Sequence, residues 1–345
     1  MHKFRATYLG AFILGWLLAF GAHVAWGYYP PLQATGSYSD HEVSYTVYNP
    51  QKQQGYTASH NYPDTITVVN LQQHNGVIAW VTQDGASYSV SCVTFDAALN
   101  TFQNAYWGPF PSLVSHFQVL DGVVAFSIID SSGNVGCEAA TYDPAKEAWQ
   151  KRSISSPGIF SLGIINKDGV VVWKYYVFVS GGYEFMATLY DPKLGSWINW
   201  YYFWSPFEPI TALYVSNATV YYSLKSWGYE GFIGYKLGDA YWTDQITTVP
   251  AAHFVAQPKL GGSPLWVWFT DMSIAGANWS YNFGDGSFLS MNRSPYHTFT
   301  SPGSHQVTQW ISGPSSYSQT IIVGYPSTLK GKSLPAMLHL LLLAD

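Results

Sequence analysis

Apolar and polar positions alternate along this chain with a long period. Four short apolar runs stand out: Val77-Ile78-Ala79-Trp80-Val81, Val123-Val124-Ala125-Phe126, Val170-Val171-Val172-Trp173 and Thr219-Val220-Tyr221-Tyr222. Each follows a polar turn signal: Asn75-Gly76, Asp121-Gly122, Asp168-Gly169 or Ser216-Asn217. A second series closes the runs: Asp84-Gly85, Ser132-Gly133, Gly181-Gly182 and Trp227-Gly228. Asn-Gly and Asp-Gly between apolar runs are hairpin signals, because they supply the positive φ that a tight turn needs. A third mark is Phe95-Asp96, Tyr142-Asp143-Pro144, Tyr190-Asp191-Pro192 and Tyr235-Lys236, recurring at intervals of 47, 48 and 45 residues. Six residues after the second position of each comes an aromatic: Phe102, Trp149, Trp197 or Trp242. A degenerate copy, Tyr48-Asn49-Pro50, lies another 47 residues upstream.

Each repeat predicts four strands. Four strands at a period in the 40s is the pattern of a β-propeller blade. One such sheet cannot bury both faces alone, so the sheets must pack side by side, with the Trp or Phe of each repeat filling the wedge. Four complete repeats run from about Thr65 to Pro250, and the segment before them predicts the last two strands of a blade. The array is either a five-bladed ring with one incomplete blade, which we favour, or a partial ring. In the loops, Asp caps the turn and Pro presets φ. Asp96, Asp143 and Asp191 are therefore expected to be turn residues rather than a ring of ligands.

The aromatic-Asp-Pro turn followed by Trp resembles kelch-type propeller repeats, although the kelch double glycine occurs only once, as Gly181-Gly182. After Pro250 the pattern changes. Phe283-Gly284-Asp285-Gly286-Ser287, Pro295-Tyr296-His297-Thr298-Phe299 and Gly303-Ser304-His305-Gln306-Val307 follow in order. These resemble the PKD domain, an immunoglobulin-like β-sandwich usually found in extracellular proteins. Tyr281-Asn282 stands where the family usually has Trp-Asp, and His305 where it usually has Tyr. The resemblance implies a binding or spacer module on an exported protein, and no chemistry.

Composition fits an all-β chain. Charged residues are 10% of 345, well below the ~25% of an average globular protein, while aromatics reach 18%. The net charge of -5 has no basic stripe, which argues against nucleic acid as a partner. A basic start, an apolar run from Tyr8 to Ala22 and the small-residue exit Ala25-Trp26-Gly27 predict a cleaved signal peptide over 1–27. The apolar tail Leu334 to Ala344 is about half a membrane span. The expected organisation is a leader (1–27), propeller repeats (28–250), a PKD-like sandwich (251–325) and a tail (326–345), secreted or at the cell surface, with no stable span after cleavage.

Candidate chemistry is sparse. Metal-site spacings, nucleophile elbows and phosphate loops are absent from the sequence, so neither metal nor cofactor is expected. Cys92 and Cys137 lie at even offsets before Asp96 and Asp143, which places both thiols on the same face of adjacent blades. Adjacent blades meet by opposite faces, so the two thiols should not touch. Gly182-Tyr183-Glu184 and Gly228-Tyr229-Glu230 stand 46 residues apart, with Glu138 near the corresponding place. Glu138, Tyr183, Glu184, Tyr229 and Glu230 are therefore candidate binding residues on one rim. The expected role is an exported, non-catalytic binding or surface protein whose partner is a glycan or a surface protein. The alternatives are a polysaccharide hydrolase with paired carboxylates at the propeller mouth and a structural surface-layer subunit.

Overall fold

The computed structural model describes residues 33–49, 54–96, 99–111, 113–129, 135–156, 159–177, 182–202, 210–224, 230–312 and 315–324. The leader at 1–27, the tail at 326–345 and Tyr229 lie outside them. Among the described residues every regular element is a strand. β1 (Gln33–Ser39), β2 (Glu42–Asn49) and β3 (Gln54–Asn61) form a three-stranded sheet. Four four-stranded antiparallel sheets follow. The second holds β4 (Ile66–His74), β5 (Val77–Asp84), β6 (Ser87–Asp96) and β7 (Thr101–Phe110). The third holds β8 (Val114–Leu120), β9 (Val123–Ile129), β10 (Val135–Asp143) and β11 (Ala148–Ser156). The fourth holds β12 (Ile159–Lys167), β13 (Val170–Val177), β14 (Gly182–Asp191) and β15 (Ser196–Tyr202). The fifth holds β16 (Ile210–Ser216), β17 (Thr219–Leu224), β18 (Glu230–Gly234) and β19 (Thr243–Asp244).

These are propeller-like blades. Their first turns are the mirror-image type I′ hairpins that Asn-Gly and Asp-Gly favour. Asn75, Asp121 and Asp168 have φ of 48, 51 and 54°, and the glycine after each has φ of 77°. The leading sheet departs from expectation, with three strands instead of two. Val47 pairs with Ala34 as Thr94 pairs with Val77, so β1 to β3 correspond to the second, third and fourth strands of a blade. Gln-Ala-Thr-Gly-Ser-Tyr-Ser in β1 has no apolar run to announce it.

Each pair of neighbouring sheets shares a core. Tyr45 of the first sheet meets Ile78 and Trp80 of the second. Cys92 and Trp107 of the second meet Phe117 and Phe126 of the third. Cys137 of the third meets Trp173 and Met186 of the fourth. Phe185 of the fourth meets Tyr222 and Ile233 of the fifth. Among the described residues no core of this kind joins the fifth sheet back to the first. Cys92 and Cys137 lie in different cores, buried and unbonded, as the alternation of strand side chains requires.

The remaining strands form a sandwich. β20 (Phe254–Gln257), β22 (Leu265–Asp271) and β24 (Tyr296–Phe299) make one layer. β21 (Leu260–Gly262), β26 (Ser316–Gly324), β25 (Gly303–Trp310) and β23 (Ser280–Asn282) make the other. Phe254, Phe269, Tyr281, Phe299, Val307 and Ile321 fill the space between them. The three sequence motifs meet here. Asp285 Oδ1 accepts from the backbone N–H and hydroxyl of Ser287, at 3.1 and 2.6 Å. Asp285 Oδ2 lies 2.6 Å from His297 Nε2, and the His297 ring stacks on Phe283 at 4.0 Å. Gly284 (φ 73°) passes so close to the Gln306 backbone that a Cβ would collide with it. His305, the departure from the family pattern, stacks on Phe299 and bonds the Ser301 carbonyl at 2.9 Å.

Candidate functional site

The acids of the repeats are structural, and they do more than cap turns. Asp143 Oδ1 accepts from the Ala145 N–H at 2.8 Å, and Asp191 Oδ1 from the Lys193 N–H at 2.7 Å. The other oxygen of each is taken by the next sheet. Tyr142 donates to Asp96, Tyr190 to Asp143 and Tyr235 to Asp191, each at 2.6 Å. Burial, and then the neighbouring carboxylates, push all three phenols well above the ordinary tyrosine value. The repeat tryptophans add a second tie, donating to a carbonyl of the preceding sheet. Trp149 reaches Gln103 at 3.0 Å, Trp197 reaches Gln150 at 3.0 Å, and Trp242 reaches Ile198 at 3.1 Å. Innermost, Gln72 bonds both the Phe117 carbonyl and the Val119 N–H, at 2.8 and 2.9 Å. Gln118 repeats that pair on Ile164 and Asn166, both at 3.1 Å.

The first-turn aspartates continue the pattern. Asp121 Oδ2 accepts from the Asp168 N–H at 2.8 Å, and His74 Nδ1 accepts from the Asp121 N–H at 2.9 Å. These turns also receive the sandwich. Ile274 and Ala275 pack into the core between the fourth and fifth sheets. The Gln257 amide donates to the Pro144 carbonyl. Arg293 joins the two parts. Its Nε donates to Asp271 at 3.0 Å, and its Nη1 lies 3.7 Å from Asp121 Oδ1. The guanidinium also rests over Trp279 at 5.1 Å. Asp271 is locked, with its side chain 1% exposed, by further bonds from Ser273 (2.6 Å) and Gln309 (2.8 Å).

Between the sandwich and the first three sheets lies a cleft of about 590 Å³. Thr35, Asn75, Asp121 and Tyr142 line the sheet side, and Gln257, Trp268, Thr270 and Arg293 line the sandwich side. Its size falls within the ~300–1,000 Å³ of small-molecule sites, which gather at domain junctions.

Four of the five rim candidates fall on described strands, Glu138 on β10, Tyr183 and Glu184 on β14 and Glu230 on β18, and Tyr229 lies outside the described residues. Glu138 stands opposite Phe126, three residues past Val123, and Glu184 opposite Tyr175, five past Val170. Glu230 stands opposite Ser223, four past Thr219, the residue that begins β17. The equal spacing in sequence therefore hides different registers, with Glu230 one residue out of phase. Glu138 is buried and accepts from Ser153 at 2.6 Å. Its carboxyl is pushed up by burial, as is that of buried Glu184, which Tyr175 hydrogen-bonds. Tyr183 packs edge-on to Tyr176 at 5.2 Å. Glu138, Tyr183 and Glu184 do not line the cleft. Sequence reasoning missed the cleft because its walls come from parts of the chain more than 100 residues apart. The lining residues that carried a signal, among them Asn75, Asp96, Asp121 and Tyr142, carried it as turn and repeat marks.

No curated protein matches the sequence. Among the solved structures that align with the chain are the following three. A structure from a study of two prolyl endopeptidases aligns at 9% identity and TM-score 0.33, covering 81% of this chain and 52% of the other. The chain thus spans about half the length of that protein. The β-propeller domain of the Trilobed protease from Pyrococcus furiosus, described as having an open velcro topology, aligns at 9% identity and TM-score 0.28, covering 75% and 82%. The polysaccharide lyase Uly1 aligns at 12% identity and TM-score 0.25, covering 88% and 91%. Among the described residues no helix is long and apolar enough to cross a membrane. Residues 251–322 match the PKD domain family, whose members are typically extracellular, so the chain is an all-β protein of propeller-like blades carrying a PKD domain.

Proposed function

We propose that the chain is an exported, non-catalytic binding module, with the blades and the PKD domain jointly forming the ligand platform. The division behind this reading is a leader at 1–27, blades over 28–250 akin to kelch-type repeats, the sandwich over 251–325 and a tail at 326–345. The single observation that carries it is the cleft at the junction of the two parts. It has the volume of a ligand site, and its walls are held rigidly by Arg293, Asp271 and the first-turn ties. A glycan or a surface protein is the expected partner.

The acids support binding over hydrolysis. A glycosidase places two carboxyl groups ~5–10 Å apart across its substrate and needs one of them to hold a proton. Of the acids lining the cleft, Asp96 is bonded to Tyr142, Asp271 to Arg293, Ser273 and Gln309, and Asp121 to the Asp168 N–H, so Asp121 alone keeps an oxygen open to a ligand. Glu138 and Glu184 lie in separate sheets outside the cleft. The test applies the secreted protein to immobilised polysaccharides and surface proteins while reducing ends are assayed in parallel. Retention without release of sugar is expected. Catalytic release of reducing ends would replace this reading with the hydrolase, and ordered self-assembly without any ligand would replace it with the surface-layer subunit.

A further inference from the structure

Asp121 carries two oxygens with different loads. Its Oδ2 is bonded to the Asp168 N–H at 2.8 Å. Its Oδ1 has long contacts, 3.4 Å to Asn75 Nδ2, 3.7 Å to Arg293 Nη1 and 4.0 Å to His74 Nδ1. A separation of 3.7 Å between a guanidinium and a carboxylate is too long for a direct hydrogen bond, and a hydroxyl seated beside the pair can bond both. It accepts from Arg293 and donates to Asp121. The side chains are 37% and 21% exposed, so the pair can be reached. Both partners line the cleft, as do Asn75, the Gln257 amide and the half-buried indole of Trp268.

This donor–acceptor array constrains the ligand. Arg293 is already shared between Asp271 and Asp121, so an anion gains little from it and meets two carboxylates. A cation meets the guanidinium. A neutral group whose every hydroxyl both donates and accepts suits the pair, and amides at Asn75 and Gln257 extend the same chemistry. An indole wall beside them suits the apolar face of a sugar ring, a large and rigid contact. We propose that the cleft between the PKD sandwich and the first three sheets seats a neutral glycan, with Asp121 and Arg293 reading adjacent hydroxyls and Trp268 packing against the ring. This inference rests on the binding reading above and adds the ligand class and the residues.

The test uses the secreted full chain. Neutral tetrasaccharides of gluco, manno, galacto and N-acetylglucosamine configuration are titrated calorimetrically, beside sulfated and uronic-acid tetrasaccharides and a mixed peptide pool. Hydrogen exchange is recorded on the unmodified protein with the best binder. Binding of a neutral glycan is expected, with protection at Asn75–Val77 and Arg293–Ser294. Trp268→Ala and Asp121→Asn should each weaken it about tenfold or more, the equivalent of one lost ring contact or bond. Tyr241→Ala, exposed and outside the cleft, should not. Protection needs no variant, so a misfolded substitution leaves the test intact. Glycan binding without protection at those segments overturns the site, as does a pair bridged by water alone and unresponsive to any sugar. Exclusive binding of charged sugars or peptides within the cleft overturns the ligand class but leaves the binding module standing. Failure to bind anything, with cleavage of a polysaccharide, overturns both.

Discussion

Replacing Arg293 with methionine keeps the aliphatic stem and removes the charge that joins the sandwich to the blades. Three contacts are lost. The bond to Asp271 at 3.0 Å is the costly one, because that carboxylate is 1% exposed and cannot turn to water. Breaking a buried ion pair costs about 3–5 kcal/mol when the remaining charge is left bare. Here Ser273 and Gln309 still donate to Asp271 at 2.6 and 2.8 Å, so the expected loss is ~2 kcal/mol, near that of one charged hydrogen bond. The half-exposed Asp121 contact at 3.7 Å adds at most ~0.5 kcal/mol, and the Trp279 contact a similar amount. Asp271 and Arg293 both belong to the sandwich, so the loss falls on a unit of fewer than 100 residues, where ~2 kcal/mol lowers Tm by roughly 10 °C. Calorimetry of the secreted chain should show the sandwich transition moving down by that amount. Asp121→Asn, which leaves the Asp271 bond in place, should move it by ~0.5 kcal/mol or less. An Arg293→Met transition within ~0.5 kcal/mol of the parent, or one no lower than that of Asp121→Asn, would refute the reasoning.

Two pH effects follow from buried groups. Burial raises the Glu138 carboxyl above its unfolded value, so the stability it contributes is present below about pH 4 and is lost as pH rises through the raised folded value. Glu138→Gln should therefore unfold at higher temperature than the parent at pH 7, with the difference vanishing at acid pH; a variant less stable at pH 7 would count against it. Tyr142, Tyr190 and Tyr235 are held neutral in the fold, while the unfolded chain ionises its phenols near pH ~10. Above that pH the unfolded state binds fewer protons, and stability should fall steadily. In an ultraviolet titration these three should ionise only on alkaline unfolding, and full tyrosine titration in the folded protein would contradict the tie.

The blades were legible because their signals are local. Asp121-Gly122 writes a type I′ turn into two residues, and Val123-Val124-Ala125-Phe126 writes a buried strand into four. The motif Phe283 to Ser287 likewise carries its own turn, cap and core anchor. The even offsets of Cys92 and Cys137 located both thiols in separate cores. What stayed hidden depends on relations between repeats. Asp143 reads as a turn cap, and nothing near it in sequence reports that its second oxygen belongs to Tyr190, 47 residues on. Glu184 and Glu230 look equivalent by spacing, yet Glu184 pairs five residues past Val170 and Glu230 four past Thr219. The polar strand β1 lacked an apolar run, and the cleft joins Asn75 to Arg293 across two folding units.

Each four-stranded sheet is fastened to the next through a tyrosine and an aspartate contributed by successive repeats. A double-mutant cycle on Tyr190→Phe and Asp143→Asn measures this directly, with Tyr190→Phe and Asp96→Asn as the reference pair, since Asp96 is bonded to Tyr142 instead. The account predicts a coupling of about 1–2 kcal/mol for the first pair and near-additive losses for the second. Equal coupling in the two cycles, or none in either, would contradict it.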